Sequence, residues 1–411
     1  MEKYITDIAI IGGGASGLAA AIAAAECKSV SVTVFERLPR VGKKILSTGN
    51  GRCNLSNEKK SHNCYNGDTK FLSYICNVPD AKEFFLKLGL LTKTDTDGRI
   101  YPHSMAASSV LDALRHKAEA SGVKLICDCR IDGIAKNGNV FVLTAEEKTY
   151  YAESVIISTG GKAAPSLGSD GDGYSFAKSF GHTVTKLYPA LAPLRTDINK
   201  VKALKGLRAA AKASLLIDGK CAAVQKGEVQ FSDGALSGIC IFNLSALAAE
   251  NIGHCEISLD LAPEYDNQAL YNILSSVKAL RSHLPCEELL TGLFHKRIGQ
   301  QILKTAGIRF DTPCSSIDQE SIKKITGIIK DMRFPVTGVS DWSLAQTTSG
   351  GIPVDEINDN FKSAIVDGLF FCGEILNICG QCGGYNLDWA WKSGITAGEA
   401  AARCLNGGKN A

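Results

Sequence analysis

The sequence predicts an α/β fold in which one parallel-sheet domain, begun at the N-terminus and finished at the C-terminus, is interrupted by a β domain and a helical segment. Three observations predict it. A strand–helix–strand unit with a glycine fingerprint opens the chain at Asp7–Glu36. An apolar strand ending in Gly-Glu, then a glycine pair and an apolar helix, closes it at Gly368–Gly398. Between them, from Ala192, short strands give way to three helical segments, and no second fingerprint occurs. The chain has 411 residues, for which two or three domains are expected.

In the opening unit, Ile8–Ile11 is a short apolar strand, Gly12, Gly14 and Gly17 give the spacing G-x-G-x-x-G, Ala15–Glu26 is built of helix formers, and Val30–Phe35 is a second strand. Glu36 ends it, 19 residues past Gly17. This is a Rossmann-like βαβ unit with a dinucleotide fingerprint. Gly12 permits the tight turn out of the strand, Gly14 leaves no side chain between backbone and pyrophosphate, and Gly17 lets helix and strand pack closely. The N–H groups at the helix start, around Ala15 and Ser16, bind the pyrophosphate. Glu36 accepts ribose hydroxyls and repels a 2′-phosphate, which favours FAD or NAD over NADP as the resident nucleotide. A glycine turn with no ligand is the competing account. Strand, helix, second strand and acidic end together argue against it.

An apolar fraction of 45% is ordinary for a globular chain. A net charge of +3 is too small to argue for a nucleic-acid or membrane partner, and no apolar run approaches the ~18 residues of a membrane span. Met-Glu-Lys-Tyr-Ile-Thr-Asp runs straight into the first strand, so no signal peptide and a cytoplasmic location are expected. The 15 cysteines are then expected as thiols in a reducing compartment. Cys127-x-Cys129 and Cys379-x-x-Cys382 are the only close pairs, and the seven histidines are scattered, so no metal site is expected.

Arg37–Asn57 is rich in Gly, Lys, Ser and Asn and reads as a loop. It follows the ribose-binding end, where a cofactor would extend. Lys43 and Lys44 would face phosphate, and backbone N–H groups near Gly49 and Gly51 the flavin ring; an ordinary surface loop is the alternative. Ala81–Leu88 reads as a short amphipathic helix. Ser104 or Ser108 would cap a helix through Ala118. Val123–Cys127, Ile131–Ile134 and Val140–Thr144 are expected strands, with a turn at Asn137-Gly138. Val155–Gly161 is a buried strand ending in glycines, which permits close approach of a cofactor beside Thr159 and Gly160. Asp170–Gly173 precedes a helix through Phe180; its acids and glycines lie beside the flavin or form a solvated turn.

From Ala192, strands are expected near Ala213–Ile217, Ala222–Gln225, Glu228–Phe231 and Glu256–Leu259, then helices over Gln268–Leu280, Glu287–Lys304 and Asp318–Asp331. The expected boundaries are a first domain of 1–191 and 342–411, a β domain of 192–264 and 332–341, and a helical subdomain of 265–331.

Thr48-Gly-Asn-Gly-Arg-Cys-Asn-Leu-Ser56 resembles the signature of a bacterial flavoprotein family, the YhiN or BaiN type of NAD(P)/FAD-dependent oxidoreductases, also described as aminoacetone-oxidase-like. The resemblance recurs in Gly98–Pro102, Gly171–Tyr174 with Gly181-His182, Gly227–Phe231, Leu236–Gly238, Thr347–Ile352 and Gly373–Gly398, so it spans nearly the whole chain. It implies a Rossmann-like FAD-binding domain interrupted by an inserted β-barrel-like domain and a small helical subdomain. Arg37, Arg52, Cys53 and Asn54 join the cofactor-binding set. Ile131 stands where the family's adenine-contacting apolar residue would stand, or is plain sheet core. In the closing segment Gly373 and Glu374 would lie near the ribitol or pyrophosphate, and the amides of Gly384, Tyr385, Asn386 and Leu387 would face the flavin. The family tends to carry an acidic residue where Cys379 stands.

The resemblance implies an NAD(P)H-driven reductase of a conjugated C=C in an enone, such as a 3-oxo-Δ4,6 bile acid intermediate, because the family includes a 3-dehydro-bile acid Δ4,6-reductase. With no second fingerprint, NAD(P)H would be a transient reductant reaching the flavin by the substrate's route. Two alternatives are a flavin amine oxidase of the aminoacetone kind and a flavin-containing RNA-modifying protein. The helical subdomain lacks the dense basic tract with interleaved aromatics that would favour the last. Tyr101 and His103 are equally readable as proton donors or structural residues. Disulfide reductases of this class carry a C-x-x-x-x-C pair near Cys53, but the next cysteine here is Cys64. Cys379 and Cys382 are expected to be small residues in a tight turn, not a redox pair.

Overall fold

The apolar run before the fingerprint forms strand β1 (Tyr4–Ile11) in a computed structural model that describes residues 4–27 and 29–409. Met1–Lys3, on which part of the N-terminal reading rests, lie outside them. Ile8, Ala9 and Ile10 are completely buried, as in a strand covered on both faces. After β1 come α1 (Ala15–Ala25) and β2 (Val32–Phe35), which is parallel to β1. The chain divides into two units, Met1–Ala190 with Ala345–Ala411, and Leu191–Leu344.

The main sheet of the first unit adds β3 (Lys124–Ile126), β4 (Gly133–Asn137), β5 (Val140–Ala145) and β6 (Lys148–Ile157), in the order β3-β2-β1-β6-β5-β4. β6 is its hinge. Its first half pairs antiparallel with β5, while Val155–Ile157 pairs parallel with Leu369–Phe371 near the chain's end. The closing segment therefore enters the sheet that the N-terminus began. The C-terminal helix (Tyr385–Lys409) then packs along α1.

Two local expectations for this unit are corrected. Arg37–Asn57 is not all loop: it holds α2 (Lys43–Ser47), set up by left-handed Gly42, and a tight turn in which Gly49 and Asn50 are left-handed. Helix α3 (Ala81–Lys87) is capped by Asp80. Neither Ser104 nor Ser108 caps α4 (Ala107–Ala120), whose N-cap is Ala106; Ser104 instead accepts the Ala106 N–H and donates to Ser109. The Asp170–Gly173 turn leads into α5 (Asp172–Ser179). Beyond it the buried His182 ring bridges Glu356 (2.9 Å) and Ser363 (2.8 Å), which fixes the turns of the 354–363 segment.

In the second unit β7 (Leu194–Thr196), β8 (Arg208–Ile217), β9 (Lys220–Phe231), β10 (Ala235–Ser237), β11 (Cys255–Asp260) and β12 (Met332–Val339) close an antiparallel barrel in the order β7-β10-β9-β8-β11-β12. Closure leaves no strand edge unpaired. The two strands expected at 222–225 and 228–231 are one strand, β9. Gly227 stays extended in register with Ala211 and faces helix α6 (Ile239–Glu250), where a Cβ would make ordinary contact with Cys240. That helix escaped the sequence reading because Ile239–Ala249 is apolar almost throughout and has no 3.6-residue period to detect. Helices α7 (Asn267–Leu280), α8 (Lys296–Ala306) and α9 (Gln319–Lys330) share one apolar core with the barrel. The helix expected over Glu287–Lys304 is broken by left-handed Gly292 and restarts at His295, whose ring caps α8.

Candidate active site

The fingerprint turn is built as the sequence requires. A Cβ at Gly17 would lie 1.9 Å from the Gly12 carbonyl oxygen, whereas one at Gly14 would meet nothing within 4 Å. Gly14 therefore faces open space at the N-terminus of α1, where no side chain caps the helix. Uncapped first-turn N–H groups, here from the Ala15 and Ser16 turn, are an anion site in waiting. Glu36 follows β2 and is 8% exposed. Its carboxylate accepts the N–H groups of Gly13 (3.0 Å) and Leu38 (2.8 Å). Burial pushes its pKa up, against the pull of those two N–H groups and of Arg37. Each oxygen of this buried carboxylate accepts one N–H and keeps a lone pair to which a ribose hydroxyl would donate.

The other expected residues gather in three groups. Arg37 pairs with Asp170 and Asp172, joining the end of β2 to the turn before α5. The two acids part company: burial and the neighbouring Asp170 push Asp172 up, while for Asp170 the Arg37 guanidinium outweighs burial and holds it below the usual carboxylate range. In the second group, Lys44 and Glu374 form an ion pair (2.8 Å), and Glu374 also accepts the Thr348 N–H. The Thr348 hydroxyl accepts the N–H groups of Lys162 and Ala163, next to Gly160. Lys43 donates to the Ser166 carbonyl. In the third group, Asn386 exchanges hydrogen bonds with the Gly380 backbone, and Tyr385 donates to the Lys59 carbonyl. Leu387 is half-buried, and Gly384 is left-handed against Ser56 and Asn54. Gly373 is left-handed against Ser16 of α1.

Two oxygens of the expected set test the fit to FAD. Asn54 Oδ1 and Thr159 Oγ1 are buried without a hydrogen-bond partner among the described residues. Buried polar atoms are normally satisfied, so an orphan calls for a partner. Both lie in segments assigned to the cofactor from sequence, and Gly51, in the same turn as Asn54, would carry a Cβ into open space. The residues present fit FAD. Ile131 is 3% exposed and belongs to the sheet core. Arg52 is exposed. Cys53 is fully buried, and burial pushes its thiol up to about 12. Tyr101 sits in the strand Arg99–Pro102, one residue from the pairing of Ile100 with Ser56, and His103 just beyond is exposed.

Sequence reasoning missed Ser158 and Thr348. Ser158 donates to the carbonyls of Ile11 and Gly12 and so braces the fingerprint turn. Its partners lie 147 and 146 residues away in the chain, so no local pattern marks it.

Cys379 and Cys382 are thiols, the first buried and the second half-buried, and burial pushes both up to about 12. Neither is therefore the lowered, thiolate-bearing cysteine that a catalytic dithiol uses in every turnover. The Cys379→Ser, Cys382→Ser double variant is expected to keep flavin, and its bleaching by NAD(P)H, within a few-fold of the parent. Lost turnover with flavin still bound, together with a reducible disulfide found in the parent by thiol counting, would contradict this.

A Rossmann-type sheet with an inserted closed barrel, carrying this fingerprint and its buried acid, defines an FAD-dependent oxidoreductase. Residues 6–400 match the model of the HI0933-like protein Rossmann domain, and the chain belongs to that family. It is 36% identical over 404 residues to the 3-dehydro-bile acid delta(4,6)-reductase of Clostridium scindens, covering 96% of this chain and 98% of that one. It is 25% identical over 403 residues to the ribosomal RNA dihydrouridine synthase of Escherichia coli, covering 96% of both chains. Among solved structures, an open flavocytochrome c3 fumarate reductase shares the fold, with a TM-score of 0.50 and 17% identity over 97% of this chain and 78% of that one. No helix among the described residues is long and apolar enough to cross a membrane.

Proposed function

We propose that this enzyme uses resident FAD and transient NAD(P)H to reduce a C=C bond conjugated to a ketone in a small polycyclic substrate, a 3-oxo-Δ4,6 bile acid intermediate or a close analogue. The observation that carries this reading is the 36% identity, end to end, to a reductase named for that substrate. FAD supplies hydride chemistry when bound; the chain supplies position. The α1 amides would hold the pyrophosphate and Glu36 the ribose. Asn54 and the Gly384–Leu387 turn would orient the ring system. The Lys44–Glu374–Thr348 cluster ties the N- and C-terminal halves of the site together.

The test is product analysis under anaerobic turnover. A 3-oxo-4,6-diene steroid should drive NADH or NADPH oxidation and gain two hydrogens, with the ketone kept. NAD(P)H oxidation that depends only on oxygen would contradict the reading.

A second reading, reduction of a uridine in RNA, is supported by the 25% identity to a dihydrouridine synthase. Dihydrouridine is uridine with a ring C=C, conjugated to a carbonyl, reduced, so the two readings share one chemistry and differ in what presents the double bond. Salt-dependent retention of ribosomal RNA, and dihydrouridine formed in it, would favour the second.

A further inference from the structure

Two cysteines of the second unit meet across a feature that the proposed reaction does not use. Leu284-Pro285-Cys286 and Thr312-Pro313-Cys314 repeat the same Pro-Cys step. Each proline stands before a single 3-10 turn, Cys286–Glu288 or Cys314–Ser316, and each cysteine is the first residue of its turn. Pro285 and Pro313 form an isolated antiparallel bridge. Proline has no N–H, so the cysteine amides hold the bridge: Cys286 N–H donates to the Thr312 carbonyl and Cys314 N–H to the Leu284 carbonyl, both at 2.8 Å.

The side chains cross as the backbones do. Cys314 Sγ lies 3.6 Å from the Pro285 carbonyl, and Cys286 Sγ lies 3.4 Å from the Thr312 hydroxyl. Both cysteines are fully buried. Burial pushes the Cys314 thiol up, and the neighbouring Cys286 thiol adds to that. Pro285, Pro313 and Ser315, which flank the pair in sequence, are exposed. The pair is thus shielded in the closed loop, and a small oxidant would reach it through a local opening of these two Pro-Cys turns.

We propose that Cys286 and Cys314 are an oxidation site, a thiol pair that closes to a disulfide when the enzyme meets a low-molecular-weight disulfide. One thiol, as thiolate, attacks the small disulfide, forming a mixed disulfide and releasing one small thiol. The second protein thiol, giving up its proton, attacks the protein sulfur of that mixed disulfide and releases the other. In balance, two protein thiols and one small disulfide become one protein disulfide and two small thiols. The product staples α7 to α9 through the loop that contains α8.

The experiment uses the flavin-loaded full chain, with oxidised and reduced glutathione in graded ratios as the probe. After acid quench and alkylation, peptide mass spectrometry reads the cysteines. The Cys286–Cys314 cross-link is expected to be the dominant internal disulfide, while exposed Cys76, Cys221 and Cys404 carry glutathione. The oxidised protein should melt roughly 5–10 °C higher than the reduced, from closure of a loop of this length. Dithiothreitol should reverse both changes. Cys286→Ser and Cys314→Ser should each abolish the cross-link and the shift. The proposal is overturned if Cys286 and Cys314 remain thiols in the parent while the exposed cysteines are fully modified, or if other pairings predominate. Both outcomes are read on the parent, whatever the variants' stability.

Discussion

Gly398→Val in the C-terminal helix is expected to destabilise the first unit by roughly 3 kcal/mol or more and to leave the protein without flavin. A Cβ at Gly398 would lie 2.2 Å from the Ala20 carbonyl oxygen, and one at Gly394 would lie 2.3 Å from that of Ser16. These glycines stand four residues apart on one face of the helix and let its backbone rest on the backbone of α1. No flexible side chain is there to give way. The helices must separate, and α1 carries the fingerprint turn at its first residue, so packing and cofactor fail together. Gly327→Ala is the control. It lies within α9, a Cβ there would meet nothing within 4 Å, and its backbone is not left-handed. It should be neutral or stabilise by about 0.5–1 kcal/mol. Thermal melting and flavin released on denaturation read both. A Gly398→Val protein that melts with the parent and stays yellow would contradict the packing account.

Glu36→Ala is expected to weaken FAD binding by about 1.5–3 kcal/mol, roughly ten- to a hundredfold. If Glu36 holds the ribose, the loss has two parts. The ribose hydroxyls lose their acceptor, and the N–H groups of Gly13 and Leu38, which shape the turn between β1 and α1 and the exit from β2, lose theirs. Glu36→Gln should be nearly as damaging, because an amide can accept from one of these N–H groups but turns a donor toward the other. The pH dependence has a definite sign. In the free protein burial raises the Glu36 pKa above its ordinary 4.5, while ribose hydroxyls would donate to the ionised form. Affinity should therefore climb as pH rises toward the raised value of the free protein and level off above it. Glu36→Gln should lack that rise. A dissociation constant unchanged in Glu36→Ala, with the fold intact, would place the ribose elsewhere.

The ends of the first unit were legible because each is one uninterrupted stretch. Strand, fingerprint, helix and acid all lie between Tyr4 and Glu36, and the closing strand, Gly-Glu and helix all lie after Gly368. The ties between these ends were not legible. Lys44 meets Glu374 over 330 residues, and Thr348 reaches Lys162 over 186, so each half of the contact looks ordinary where it stands. In the barrel the errors came from composition. Lys226-Gly227 resembles a turn, yet both residues stay paired within β9, opposite Lys212 and Ala211. Ile239–Ala249 is too evenly apolar to announce a helix. Arg37–Asn57 carries loop residues because left-handed positions at Gly42, Gly49 and Asn50 need them, yet those positions fold the segment tightly.

The most direct test of the central claim is single-turnover reoxidation. The enzyme's flavin is bleached anaerobically with one equivalent of NADH or NADPH, then mixed in a stopped-flow with a 3-oxo-4,6-diene steroid, with ribosomal RNA, or with oxygen. Rapid return of the visible flavin absorbance with the steroid, one reduced C=C formed per flavin, and a much slower return with oxygen are predicted. Return with oxygen alone, the steroid recovered unchanged, would contradict the account.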